Sequence, residues 1–173
     1  VTPEKRLLRL PTRKLADAVC VEWRKQGEKI DAKRLKITQL ANTAIDKVGP
    51  KLNELVSEIQ TYVSTDLLCY RVNTPDDLAI KQNERWSVPI DWLRNTYEID
   101  LAVTQAIQPI EQSVEALTKL EALIACYDAF QFSGFLSITS LTGSIILAIS
   151  LTEGFLDADQ VYEPVSYTHL RAH

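Results

Sequence analysis

From Ala129 to Thr152 the chain carries no charged side chain. A run of that length could cross a bilayer, so it decides first which solvent the fold must satisfy. Nine of its positions are Ser, Thr or Gln, and Gly134 and Gly143 interrupt it. Hydroxyls and amides are costly in hydrocarbon unless paired. The stretch therefore reads as a helix buried inside a soluble protein, with small residues allowing close helix approach, and no stable membrane insertion is expected.

A chain of 173 residues can bury a real core, and 46% hydrophobic with 24% charged residues is ordinary globular composition. Net charge is −4 with both signs mixed. The basic cluster Lys5, Arg6, Arg9, Arg13 and Lys14 is diluted by leucines and reads as solvated surface. A nucleic-acid face needs concentrated basic charge with stacking aromatics, so no nucleic-acid partner is expected. Cys20, Cys69 and Cys126 are odd in number, far apart and set in apolar runs, which fits buried, reduced thiols of an intracellular protein. No leader is visible, and Val1 in place of Met reads as a start inside a longer protein.

Proline-broken apolar pieces over residues 1–11 read as the end of a truncated β region. Thr12 is placed to cap a helix with Leu15, Ala16, Val19, Cys20 and Trp23 on its apolar face, ended by Gly27. A second helix buries Ile37, Leu40, Ala41, Ala44, Ile45 and Val48. Gly49-Pro50 stops it and opens a third, with Leu52, Leu55, Val56, Ile59, Tyr62 and Val63 on one face. Thr74-Pro75-Asp76-Asp77 is a helix start, and Pro89 should break or kink that helix. Ile99, Leu101 and Val103 alternate as in a strand. Ser113 caps a further helix bearing Val114, Leu117, Leu120, Ile124 and Tyr127. Asp157 to Gln160 form a capping box, but Pro164 should cut that helix off. The expected class is α+β: a small β remnant at 1–11, a mainly helical domain at 12–163, and a tail at 164–173 packed on nothing.

The chemistry is chiefly exclusion. His169 and His173 are the only histidines, both in the tail, which removes Ser-His-Asp, Cys-His and histidine-bearing zinc sites from residues 1–163. There is no phosphate-binding G-x-x-x-x-G-K-[ST] loop and no G-x-G-x-x-G, so no cofactor is expected. Asp157 and Asp159 are explained by the helix start rather than by a metal. A carboxylate-based hydrolase remains the alternative, since acids are plentiful although nothing singles out a pair.

Several segments, in order, carry a family likeness. Leu10-Pro11-Thr12, Glu22-Trp23, Leu40 to Asp46 and Thr65 to Arg71 are followed by Gln82 with Trp86 and Trp92, Pro109 to Gln112, Leu141 to Ser144, and Glu153-Gly154. The chain thereby resembles the ATP-twelve family, assembly chaperones for the α subunit of the F-type ATP synthase head. The family usually places proline two residues after the first of these tryptophans, whereas Pro89 lies three after Trp86. It also continues with an acidic helix where residues 164–173 resemble a translated sequencing-adapter tail. The resemblance implies a non-enzymatic protein that holds the free α subunit until β displaces it. The implied compartment is the bacterial cytoplasm or the mitochondrial matrix. Trp86 and Trp92 are candidate anchors, because tryptophan is enriched at binding hot spots, while Trp23 reads as core. Asn42 and Asp46 on one helix face, Asp66 and Arg71 framing an apolar run, and Glu111 are candidate partner contacts, with caps and internal salt links as the competing use.

Overall fold

The computed structural model describes the backbone of residues 1–73, 76–106 and 108–169, and their side chains except at 76, 164 and 166–169. Nine α-helices succeed one another among them. They are α1 (Arg13–Arg24), α2 (Lys36–Thr43), α3 (Leu52–Glu58), α4 (Gln60–Val63) and α5 (Asp76–Tyr97). The others are α6 (Val114–Ile124), α7 (Ala129–Thr142), α8 (Ile145–Thr152) and α9 (Ala158–His169). Among the described residues there is no strand, only an isolated parallel bridge between Tyr70 and Thr104. The class is all-α, which corrects the expected α+β.

Both expected β segments have a local explanation. At the start, Thr2 N–H donates to Arg6 O and Lys5 N–H to Thr2 O, closing a turn through Lys5 at φ 63°. The segment is tied down by side chains instead of a strand ladder: Thr2 Oγ1 donates to Asp46 at 2.7 Å and Arg6 Nη1 to Ile45 O at 2.8 Å. At 99–103 the alternation holds for Ile99 and Leu101, which are buried, and fails at Val103, which is exposed. Strand-like pairing is confined to Thr104, through Thr104 N–H to Cys69 O and Arg71 N–H to Thr104 O at 2.8 Å each. Alternating burial needs one covered face, which a helix layer supplies as well as a sheet.

The chain divides into two compact units, residues 1–55 with 127–134 and residues 56–126 with 135–173. In the first, Thr12 caps α1 by accepting from Leu15 N–H. Val19 is the buried residue of α1; Trp23 is 44% exposed and Cys20 is exposed. The inward face runs through Leu15, Ala18, Val19 and Glu22, so the stripe drawn through Trp23 is displaced and Trp23 is not core. In α2 the buried positions are Thr38 and Ala41, while Leu40 is 36% exposed. Gly49-Pro50 does not stop the chain turning: a π turn (Ala44–Val48) and a 3-10 turn (Gly49–Lys51) carry it into α3. Gly49 is helical there, and a Cβ on it would meet Ala44 O at 3.3 Å. A π turn shifts the hydrogen-bond register, which accommodates Pro50 without ending the helical path.

In the second unit α5 packs against the 3-10 turn Leu67–Cys69, α8 and α9. It runs through Pro89 rather than breaking there. The helix start expected at Thr74 and Pro75 lies outside the described residues. The uncharged stretch is two helices, α7 and α8, parted at Gly143 with φ +70°. Ile145 to Ser150 are all buried. No helix of the described residues is long and apolar enough to cross a membrane. The capping box at α9 forms, with Gln160 N–H donating to Asp157 at 2.8 Å and Asp157 N–H to Gln160 Oε1 at 2.9 Å.

Pro164 does not cut α9 off, because Val161 and Val165 are buried on either side of it. Burying two valines contributes about 3–6 kcal/mol, against roughly 3 kcal/mol for an interior proline. Val165 also corrects the expectation of a tail packed on nothing; the side chain of Tyr167 and all of Leu170 lie outside the described residues. Of the three thiols only Cys69 is buried, since Cys126, like Cys20, is exposed.

Candidate protein-binding site

The candidates from sequence fall into those the fold consumes and those it leaves at the surface. Asp66 is consumed most completely. It is 1% exposed, caps the 3-10 turn by accepting from Leu68 N–H at 2.9 Å, and accepts from Ser144 Oγ at 2.9 Å and Ile146 N–H at 3.0 Å. Ser144 itself caps α8 through Leu147 N–H. A carboxylate beside unpaired N–H groups at a helix start is favourable. Burial nonetheless pushes the Asp66 carboxyl up to about 6, with the donors from Ile146, Leu68 and Ser144 pulling the other way.

Arg71 is also buried, but it does not pair with Asp66. Its Nη1 donates to Gln82 O, and its guanidinium lies 5.4 Å from the ring centroid of Trp86. Burial lowers its pKa, partly countered by Cys69 and Asp91. Gln82, 3% exposed, accepts from Val72 N–H at 2.9 Å. Trp86 is 1% exposed and therefore offers a partner almost no surface. In the first unit Asp46 holds the N-terminal turn, accepting from Thr2 Oγ1 and from Glu4 N–H at 3.2 Å. Asn42, four residues earlier, is half-buried.

Trp92 and Glu111 differ, since both keep surface. Trp92 stacks on Phe155 with centroids 4.5 Å apart and planes 5° apart, and Tyr97 meets Trp92 edge-on at 5.4 Å. Phe155 is 36% exposed. The α8 C-terminus places it: Gly154 N–H donates to Leu151 O, and Phe155 N–H to Ser150 O at 2.9 Å, with Gly154 at φ +74°. These paired bonds form the glycine-dependent helix stop. Tyr97 hydroxyl donates to Glu153 at 3.0 Å, and its pKa is raised by burial and by that carboxylate. Phe155 and Tyr97 had no candidate role in the sequence; the signal was the Glu153-Gly154 helix stop, which fixes the path of the residue after it.

Glu111 lines a cleft of about 610 Å³ with Glu98, Asp100 and Glu115. Lys119 pairs with Glu115 at 2.9 Å and Glu98 at 3.5 Å, and Arg94 with Asp100 at 2.7 Å. The Lys119 hydrogen bond holds Glu115 below its ordinary value. A glycoside-type hydrolase needs one carboxyl kept protonated, and Glu115 is pushed the opposite way.

The fold is similar to that of proteins of known structure. A family model described as "ATP12 chaperone protein" matches residues 1–94. The crystal structure of Atp12 from Paracoccus denitrificans matches with a TM-score of 0.91 at 34% identity, over 98% of this chain and 72% of that one. This chain belongs to the ATP12 chaperone family. A second solved structure, the Atu1473 protein of Agrobacterium tumefaciens, matches with a TM-score of 0.89 at 30% identity, over 96% of this chain and 63% of that one. Membership of a chaperone family implies a protein client. Exposed apolar side chains occur in both units, Val21 and Trp23 in one and Phe155, stacked on the half-buried Trp92, in the other.

Proposed function

We propose that this protein is an assembly chaperone for the F-type ATP synthase, binding the unassembled α subunit and shielding its subunit interface until β displaces it. The observation that carries the reading is the match to Atp12 at 34% identity over 98% of the chain. A newly made subunit exposes apolar surface that it later buries, and such surface aggregates. A holding protein needs exposed apolar anchors on a rigid frame, and the Trp92–Phe155 stack supplies one. Within the site Trp92 and Glu111 touch the client. Asn42, Asp46, Asp66, Arg71 and Trp86 act inside the fold that presents them. No nucleotide enters the cycle, and the compartment is the bacterial cytoplasm or the mitochondrial matrix.

The test is capture of isolated ATP synthase α subunit by tagged protein, with and without added β. The expected result is a complex with free α that β disperses and nucleotide leaves unchanged. Failure to retain α, or equal retention of the assembled head, would end the proposal.

A further inference from the structure

The net charge of −4 conceals a segregation. The unit of residues 1–55 and 127–134 holds thirteen Lys and Arg against eight Asp and Glu, a formal charge of +5. The unit of residues 56–126 and 135–173 holds six against fifteen, a formal charge of −9. Surface potential of one sign is a means of selecting partners. In the basic unit there is also a concave place where such selection can act.

A groove of about 530 Å³ lies between α1, the 3-10 turn (Ala32–Arg34) and α2, lined by Ala18, Val21, Glu22, Lys25, Arg34 and Ile37. Its α1 wall is one face of that helix, since residues 18, 21, 22 and 25 follow the helical spacing. Val21 is 43% exposed, although it is apolar. Glu22 belongs to the lining as well, and its carboxylate is turned to the start of α2, accepting from Ile37 N–H at 2.7 Å, Thr38 N–H at 2.8 Å and Thr38 Oγ1 at 2.8 Å. Burial raises its pKa and these donors more than offset that, so the net shift is downward and the carboxylate stays ionised on the α2 N-terminus. Its charge is set against the positive end of α2, and Lys25 and Arg34 outnumber it in the lining. The Arg34 contact to Asp31, at 3.4 Å between exposed side chains, is weak and exchangeable.

We infer that this groove docks an acidic amphipathic segment of the client, with apolar side chains seated against Val21 and Ile37 and carboxylates reaching Lys25 and Arg34. This rests on the chaperone reading for the identity of the client, but the chemistry of the occupant follows from the groove. From Ala18 to Lys25 the wall is about 10 Å long at the helical rise, which matches roughly two turns of a partner helix. A flat anionic membrane would not fill a concavity with a cationic rim. A nucleic acid would want stacking aromatics among the basic residues, and the lining contains none.

The experiment uses the full chain and a labelled amphipathic helical peptide with leucines on one face and glutamates on the other. A twin peptide with lysines in place of the glutamates is the control. The acidic peptide should bind and its twin should not. The double variant Lys25→Glu with Arg34→Glu should weaken binding at least about tenfold, and Val21→Ser should weaken it by a similar factor, with unchanged melting. The same double variant should lower capture of isolated α subunit while the parent retains it. Parent protein that fails to capture α defeats the chaperone reading alone, because the peptide arm still reports on the groove. Equal binding of both peptides, or an acidic peptide indifferent to all three substitutions, overturns the groove assignment. So does Lys25- and Arg34-dependent binding of phosphatidylserine vesicles or duplex DNA in place of the acidic peptide.

Discussion

Asp66 and Ser144 lie 78 positions apart in the chain, and the Ser144 hydroxyl donates to both oxygens of the Asp66 carboxylate, at 2.9 and 3.1 Å. The contact joins the start of one helical turn to the start of another. Asp66 caps Leu67–Cys69 and Ser144 caps α8, and Ile146 N–H adds a third donor to the same carboxylate. Removing it strands buried donors, each costing about 1–3 kcal/mol. Asp66→Ala should therefore destabilise by about 3–5 kcal/mol. Asp66→Asn, which keeps one acceptor oxygen, should cost less in urea denaturation.

The same carboxyl gives a pH dependence of unusual sign. Its folded value of about 6 is above the ordinary 3.8, so between these values the native state binds more protons than the unfolded one. Stability from this group is then fully present below about pH 4 and is lost as pH rises through about 6. The change is bounded by roughly 1.4 kcal/mol per pH unit. Parent and Asp66→Asn should be compared by denaturation from pH 4.5 to 7.5. The parent should gain on the variant as pH falls, and a constant gap would contradict the assignment.

Trp86 and Trp23 should respond oppositely to truncation. Trp86 is 1% exposed and underlies Arg71, so Trp86→Ala should cost about 3–5 kcal/mol. Trp23 is 44% exposed, so Trp23→Ala should stay within about 1 kcal/mol of the parent. Thermal melting of the two variants separates these outcomes directly.

The features legible in the sequence were local. The caps at Thr12, Ser113 and Asp157 are signalled within four residues of the donors they satisfy. Glu22 on the α2 start and Asp66 on the α8 start are not signalled, because their donors are brought to them only by tertiary folding. Leu35 precedes α2 with no side chain able to cap it, and that missing cap was the readable hint. The same limit misplaced Trp23. A stripe of apolar residues on a short helix fits two neighbouring arcs, and Glu22, a charged residue, belongs to the inward one. The strand expected at 99–103 rested on alternation, which reports a covered face without saying whether a sheet or a helix covers it; the β remnant expected at 1–11 rested on apolar pieces broken by prolines, a pattern that a turn tied down by side chains also fits. Of the candidate contacts, residue type and spacing could not separate Trp86 from Trp92, which differ only in which side of α5 they occupy.

Trp92→Ala should separate binding from stability. The residue is half-buried and its ring contacts are Phe155 and Tyr97. Loss of two aromatic contacts costs about 1–3 kcal/mol, which lowers the melting temperature without unfolding the chain. Capture of α subunit should fall by at least about tenfold, with the far-ultraviolet spectrum unchanged. Undiminished capture would remove the stack from the client surface.

Gly154→Ala tests how that stack is built. Gly154 sits at φ +74° with open space where a Cβ would point, so the cost is backbone conformation and not a clash. A left-handed alanine costs about 1–2 kcal/mol. The strain acts on the bonds that end α8, Gly154 N–H to Leu151 O and Phe155 N–H to Ser150 O. If the helix stop yields, Phe155 leaves the Trp92 face. The expected result is a modest fall in melting temperature with a red shift in the Trp92 emission, as the stacked face gains water. Reading that emission requires Trp23→Phe in the background, since Trp23 is already exposed and would mask the change. Trp86, buried under Arg71, should not move. An emission spectrum identical to that of the Trp23→Phe parent would show that Phe155 holds its place without the glycine stop. The aromatic surface would then be fixed by α5 and its packing alone.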